Sequence, residues 1–159
     1  MGSYFRQSRN VELSVLEYME TNYAADWTGI TVVKTFKDAY DTGIPVPVVC
    51  IRLASTDNAR LEIGADTLDN RYVIILDIFA KSNAQRLDIA DYTVNKLKDG
   101  WVYNLYAHAS GDKSTIIGTA DGRLYVTNWG TNSKIDMGEG ADPKDRFRHT
   151  LSVSVRKSS

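Results

Sequence analysis

The run Tyr72-Val73-Ile74-Ile75-Leu76-Asp77-Ile78-Phe79-Ala80 constrains the fold most. It is nine residues long, rich in β-branched and aromatic side chains, and far too short to cross a bilayer. Such a run predicts a strand buried on most of both faces, at the centre of a sheet rather than at its rim. Ser82-Asn83-Ala84-Gln85 follows at once and has the form of a capping box, in which Ser82 and Gln85 each satisfy the other's backbone amide. A helix is therefore expected from there to about Asp99. Leu87, Ala90, Val94 and Leu97 lie on one face, and Gly100 stands where a left-handed residue closes the last turn. A core strand leading into a helix that packs back on the sheet is the centre of a small α+β domain.

The remaining segments assemble around that centre. Asn10 is placed to cap a first helix over Val11–Ala25, with Val11, Val15, Tyr18, Met19 and Tyr23 along one side. Trp27-Thr28-Gly29 ends it. Ile30–Val33 reads as a short strand and Lys37–Gly43 as a polar loop. Val46–Leu53 is a second apolar run whose one charge is Arg52, opened by Pro45 and Pro47. Thr56-Asp57-Asn58 reads as a turn before a third strand, Arg60–Ile63. Trp101–Tyr106 is strand or an irregular packed link. Asp121-Gly122 between Thr115–Ala120 and Arg123–Trp129 predicts a β-hairpin. Residues 128–145 are rich in Gly, Asp, Asn and Lys and read as a long functional or mobile loop. Phe147–Arg156 alternates as a half-buried strand, with Phe147, His149, Leu151, Val153 and Val155 inward and Arg148 and Arg156 outward. The expected fold is one α+β domain over residues 1–159: a mostly antiparallel sheet with two helices packed on one face, plus a C-terminal hairpin and long loop.

Composition restricts function by exclusion. A net charge of −1 provides no global field for nucleic acid. The single cysteine, Cys50, lies in an apolar run, which leaves no intrachain disulfide or thiolate zinc site and reads as a small core residue. No stretch suits a transmembrane helix or a secretory signal. Asp41-Thr42-Gly43 matches the triplet of aspartic proteases, but a polar segment precedes it and no second copy follows, so a plain turn is expected. His108 and His149 lack both a nucleophile elbow and paired metal spacing, and read as structural. Glu62, Asp66 and Asp69 lack the alternation of a calcium loop. Gly118, Gly138 and Gly140 match no phosphate-binding pattern. The residues themselves indicate no catalytic group, cofactor or metal. Nine tyrosines, many on or near the strands, fit either ordinary strands or a partner surface.

One resemblance goes further. A leading amphipathic helix precedes strands and then Arg60-Leu61-Glu62-Ile63-Gly64, Arg71 through Ala80, and Gln85-Arg86-Leu87-Asp88-Ile89-Ala90-Asp91-Tyr92 on a helix. This order and hydropathy over residues 8–100, with the strand at 147–155, resembles the tail terminator (tail-completion or neck) proteins of long-tailed bacteriophages. The resemblance implies a non-enzymatic structural protein of the virion neck, assembled in the host cytoplasm. It implies a homo-oligomeric ring, commonly a hexamer, that caps the tail tube protein and ends tail polymerisation. That ring presents a surface to the head-closure connector and lets DNA pass through its lumen without specific binding, with no membrane involved. Arg52, Arg60, Glu62, Arg71, Tyr125, Trp129 and Arg148 are the candidate subunit or partner contacts. The neighbouring readings are another neck or tail element, such as a head–tail adaptor or a tube protein built on a 115–129 hairpin, and a cytosolic small-ligand binding module.

Overall fold

The structure, a computed structural model, describes residues 7–60, 68–106, 116–136 and 142–158. Strand β3 (Leu68–Phe79) lies in the interior of a six-stranded sheet, as its apolar run requires. In chain order the other elements are α1 (Gln7–Asp26), β1 (Thr31–Val33), α2 (Phe36–Ala39), β2 (Val48–Arg60), α3 (Asn83–Leu97), β4 (Trp101–Tyr106), β5 (Ile116–Ile135), a 3₁₀ turn (Pro143–Asp145) and β6 (Arg148–Ser158). The sheet order is β1-β2-β3-β6-β5-β4. The fold class is α+β as expected, but the sheet is mixed rather than mostly antiparallel. β1 runs parallel to β2, because a short crossover through α2 returns the chain in the same direction; the other four pairings are antiparallel.

One face of the sheet carries Val49, Ile51, Tyr72, Ile74, Leu76, Ile78, Leu151, Val153 and Val155. α1 and α3 pack on this side, bringing Val11, Val15, Met19 and Tyr23 from α1 and Ile89, Ala90 and Leu97 from α3. Fully burying side chains of this size contributes about 1.5–3 kcal/mol each. Polar pairs set the helices' depth. Tyr18 donates to the Lys96 carbonyl at 2.8 Å, and the Tyr23 and Thr93 hydroxyls meet at 2.5 Å. Among the described residues the other face is covered at one end only, where Val33, Ala39, Val48, Cys50 and Phe79 form a second apolar cluster beneath α2.

α1 starts at Gln7, three residues before the expected cap. Asn10 is buried inside the helix and donates to the Tyr103 hydroxyl at 3.3 Å, because α1 lies between two strand pairs that both need partners. Ser8 faces Thr56 of β2, whereas Ser14 accepts from the Asn104 amide of β4. In α3, Ser82 caps the Gln85 amide at 3.1 Å. The Gln85 side chain accepts from Lys81 rather than from Ser82, at 2.7 Å. The buried stripe of α3 is Arg86, Ile89, Ala90, Thr93 and Leu97, so Leu87 and Val94 sit at its margin.

Two expected turns and the start of the expected long loop are strand. Thr56-Asp57-Asn58 lies within β2, which continues unbroken to Arg60 opposite β3; the third strand expected at 60–63 is the end of β2 as far as Arg60, and 61–63 lie outside the described residues. Asp121-Gly122 lies within β5, where Gly122 adopts φ 104° beside the Ser158 carbonyl. No hairpin therefore spans 115–129. Residues 128–135 of the expected loop are strand, paired along β6; residues 137–141 lie outside the described residues. At 56–58 and 130–135 local turn or loop propensity gave way because a neighbouring strand supplied ladder partners for the polar backbone, whereas Asp121-Gly122 falls at a register shift between Ala120 and Arg123, a bulge that suits a glycine of positive φ.

A Cβ on Gly122 would stand 2.2 Å from the Ser158 carbonyl oxygen, at a backbone angle that side chains rarely adopt. Gly122→Ala is expected to lower stability by more than about 1 kcal/mol. Chemical denaturation of the variant against the parent checks this; equal midpoints would refute the close approach.

Candidate functional site

The uncovered part of the sheet and its two open edges are the candidate working surfaces. Asp77 stands on the face away from α1 and α3, only 1% exposed in the central strand. Its Oδ1 accepts from Arg148 at 3.1 Å and from the Thr150 hydroxyl at 2.8 Å. Arg52, on the strand at Asp77's other side, lies 3.7 Å from Oδ2. Both guanidiniums stack over Phe36, at 4.7 Å for Arg52 and 5.2 Å for Arg148. Arg148 also lies 3.7 Å from Asp145, which accepts from the Tyr40 hydroxyl at 2.5 Å. The Lys144 ammonium donates to the carbonyls of Ala39, Asp41 and Ile44 at 2.5–2.7 Å. The cluster thus clamps the β1–β2 connection and the 3₁₀ turn onto the sheet. Arg148 is not the solvated outward cation expected of it: with 16% of its side chain exposed, it neutralises the central carboxylate.

The cluster offers little to covalent chemistry. Cys50, directly opposite Asp77, is fully buried, and burial, reinforced by the Asp77 charge, pushes its thiol up to about 11. Asp41-Thr42-Gly43 is a plain turn, with the Asp41 carboxylate accepting from the Gly43 amide at 2.8 Å. Asp69 pairs with Arg156 at 2.7 Å and Arg71 at 3.5 Å. His149 is buried against Asn132, 2.6 Å from its carboxamide oxygen. Among the described residues no cluster of three or more His, Cys, Asp or Glu side chains could hold a metal ion, and no helix is long and apolar enough to cross a membrane.

The edges differ from one another. β4 partners β5 only as far as Leu124, so among the described residues β5 from Tyr125 to Ile135 has a strand partner on its β6 side alone. Thr127 through Lys134 are all exposed, and Tyr125 and Trp129 are each 42% exposed. Two register shifts bend this edge, and the Ser152 hydroxyl accepts from the Thr131 amide at 2.7 Å to hold the second. On the opposite edge β1 is only three residues long. A cavity of about 670 Å³ opens there between α1 and β1, floored by Leu13, Leu16, Val32, Val33 and Ile44 and rimmed by Arg9, Glu12, Glu20, Lys34 and Asp38. Glu12 also accepts from the Leu53 amide at 2.8 Å, tying α1 to the end of this edge.

The structure therefore sorts the candidate contacts into groups. Arg52 and Arg148 converge on Asp77. Arg71 belongs to a separate ion cluster with Asp69. Tyr125 and Trp129 lie on the open half of β5. Arg60 ends β2, while its side chain and Glu62 lie outside the described residues. Sequence reading missed the cavity and the Tyr40–Asp145–Lys144 clamp. Asp77, a lone charge inside the most apolar run, was the available signal for the ion cluster, since a buried carboxylate demands cationic partners on its flanking strands. A scan against protein-family models gives no match, and no curated protein matches the chain.

Asp77→Ala would leave Arg148 mostly buried without its main counter-charge. The expected loss is on the order of 3–5 kcal/mol, measurable by urea denaturation. A second expectation concerns pH. Burial, and next the Arg86 guanidinium, hold His149 below its ordinary value of 6.5. The unfolded chain thus takes up this proton first as pH falls, so the histidine's contribution is intact above about 6.5 and is lost as pH drops through the lower folded value. The stability difference between the parent and His149→Gln should narrow from pH 8 to pH 5; a constant difference would refute the assignment.

Proposed function

We propose that this chain is a ring-forming structural protein of the neck of a long-tailed bacteriophage, capping the tail tube, ending its polymerisation and joining tail to head. The observation that carries this reading is the inequality of the two open edges. In the half of the sheet that carries α3, one side ends in the long exposed strand Tyr125–Ile135 and the other in three-residue β1 with a cavity beside it. Unlike surfaces on opposite sides of one subunit favour head-to-tail contacts, and such contacts close into rings when the rotation permits. An edge left open over this length is also a hazard for a free-standing protein, which a neighbouring subunit would remove.

The finer parts of the reading follow from the resemblance in element order. These are a ring of about six subunits, contacts with the tube protein below and a connector above, and DNA passing through the lumen. The net charge of −1 suits that last role, since tight phosphate binding would retard passage. The tube-protein alternative needs a hairpin at 115–129, whereas residues 116–129 run within one strand. A small-ligand binding module remains the second reading because the α1–β1 cavity, at about 670 Å³, falls in the size range of ligand sites.

Sedimentation and negative-stain microscopy of the purified full chain at high concentration test the proposal. Closed rings of uniform diameter are expected. Open filaments would favour a tube protein, and a strict monomer under all conditions would refute ring formation.

A further inference from the structure

The register of the sheet relates its two edges. Directly opposed residues share a face and a height. Trp129 opposes Val153, which opposes Ile74, which opposes Leu53. That row begins at an exposed tryptophan and ends at the residue whose amide is held by Glu12 on the rim of the α1–β1 cavity. Lys134 begins a parallel row through His149, Ile78 and Val49 to Val32, on the cavity floor. Val153, Ile74, Ile78 and Val49 all lie on the helix-bearing side, so Trp129 and Lys134 face the layer that holds the α1 wall of the cavity, whose far wall of Val33, Asp38 and Ile44 belongs to the α2 side.

From this we infer that Trp129 of one copy docks into the α1–β1 cavity of the next copy, with Lys134 meeting the carboxylates of its rim. Three features select a second copy as the occupant. The Lys134 row ends on the cavity floor at Val32 and the Trp129 row at Leu53, beside Glu12 of the rim, so a head-to-tail placement with the rotation that closes a ring brings the open strand to the cavity. The chemistry matches, since the tryptophan is apolar like the floor of Leu13, Leu16 and Ile44. The charges match as well, since the rim carries three carboxylates (Glu12, Glu20, Asp38) against two cations, and the approaching strand presents Lys134. The contact is heterologous: the knob surface and the cavity surface are different, and each subunit uses both. An exposed aromatic anchor seated in a pocket is the arrangement that dominates interface energetics.

This inference rests on the ring reading, and its tests separate the two. In the full chain, Trp129→Cys and Asp38→Cys are combined and treated with a short bismaleimide; Cys50 is buried and spared. A ladder of covalent multimers on a denaturing gel is expected from the double variant, and none from either single variant. Dimers from Trp129→Cys alone would mean that identical edges pair, and would overturn the inference. Rings in micrographs without a ladder would also overturn it while leaving ring formation standing. Neither rings nor ladder would refute both. Separately, Trp129→Ala should lower the sedimenting mass with an unchanged unfolding midpoint, and Lys134→Glu should weaken assembly. Full assembly of Trp129→Ala would overturn the inference.

Discussion

A single buried carboxylate fixes how the strands line up. Asp77 occupies the central strand, with an arginine from each neighbouring strand directed at it and the Thr150 hydroxyl opposite. Successive strand residues alternate faces, so a slip of β3 by one position would drive this charge into the apolar layer beneath α1 and α3. Burying an unpaired carboxylate costs far more than the few tenths of a kcal/mol separating otherwise similar strand pairings. The ion cluster therefore adds little net stability as a pair while excluding the alternatives. Every cross-strand row, including those that relate the two sheet edges, inherits its height from this one alignment.

The parts of the fold written in local pattern were legible from sequence. β3 announced itself by composition, α3 by Ser82 and Gly100, and β6 by strict alternation from His149 to Val155. The misread parts were those in which a distant segment overrules a local signal. Asp57-Asn58 and Asp121-Gly122 are strong turn formers in isolation, yet the first pair is matched residue for residue by β3 and the second is absorbed as a bulge where β5 runs past β4. Asn10 looks like a cap and instead spans to Tyr103, ninety-three residues away. No window of neighbouring residues contains that information. α2 was hidden for a different reason: Phe36–Ala39 is only four residues long, too short for periodicity to show.

The working surfaces were legible by half. Exposed aromatics on a strand can be suspected from sequence, and Tyr125 and Trp129 do lie on the open part of β5. Arg52 and Arg148 stand among the expected partner contacts, but both converge on Asp77, because the strands bring them there. The cavity could not have been foreseen. Its lining comes from α1, β1, α2 and the connection that follows, and no motif joins Leu13 to Ile44. Such a surface exists only after the sheet has set the distance between a helix and an edge strand.

The position of β6 has a consequence for the order of events during synthesis. It is the last described strand to leave the ribosome, yet it lies between β3 and β5 in the finished sheet. Until it inserts, β2–β3 with its helices and β4–β5 are two fragments with unsatisfied edges, and the contact that joins them spans some seventy residues, as from Asp77 to Thr150. Closing so long a loop is slow compared with forming either hairpin. The second half of β5 gains its strand partner only at that moment. A nascent chain therefore cannot display a properly set Trp129 edge beside neighbouring nascent chains, and competence to assemble is confined to molecules whose translation has passed β6.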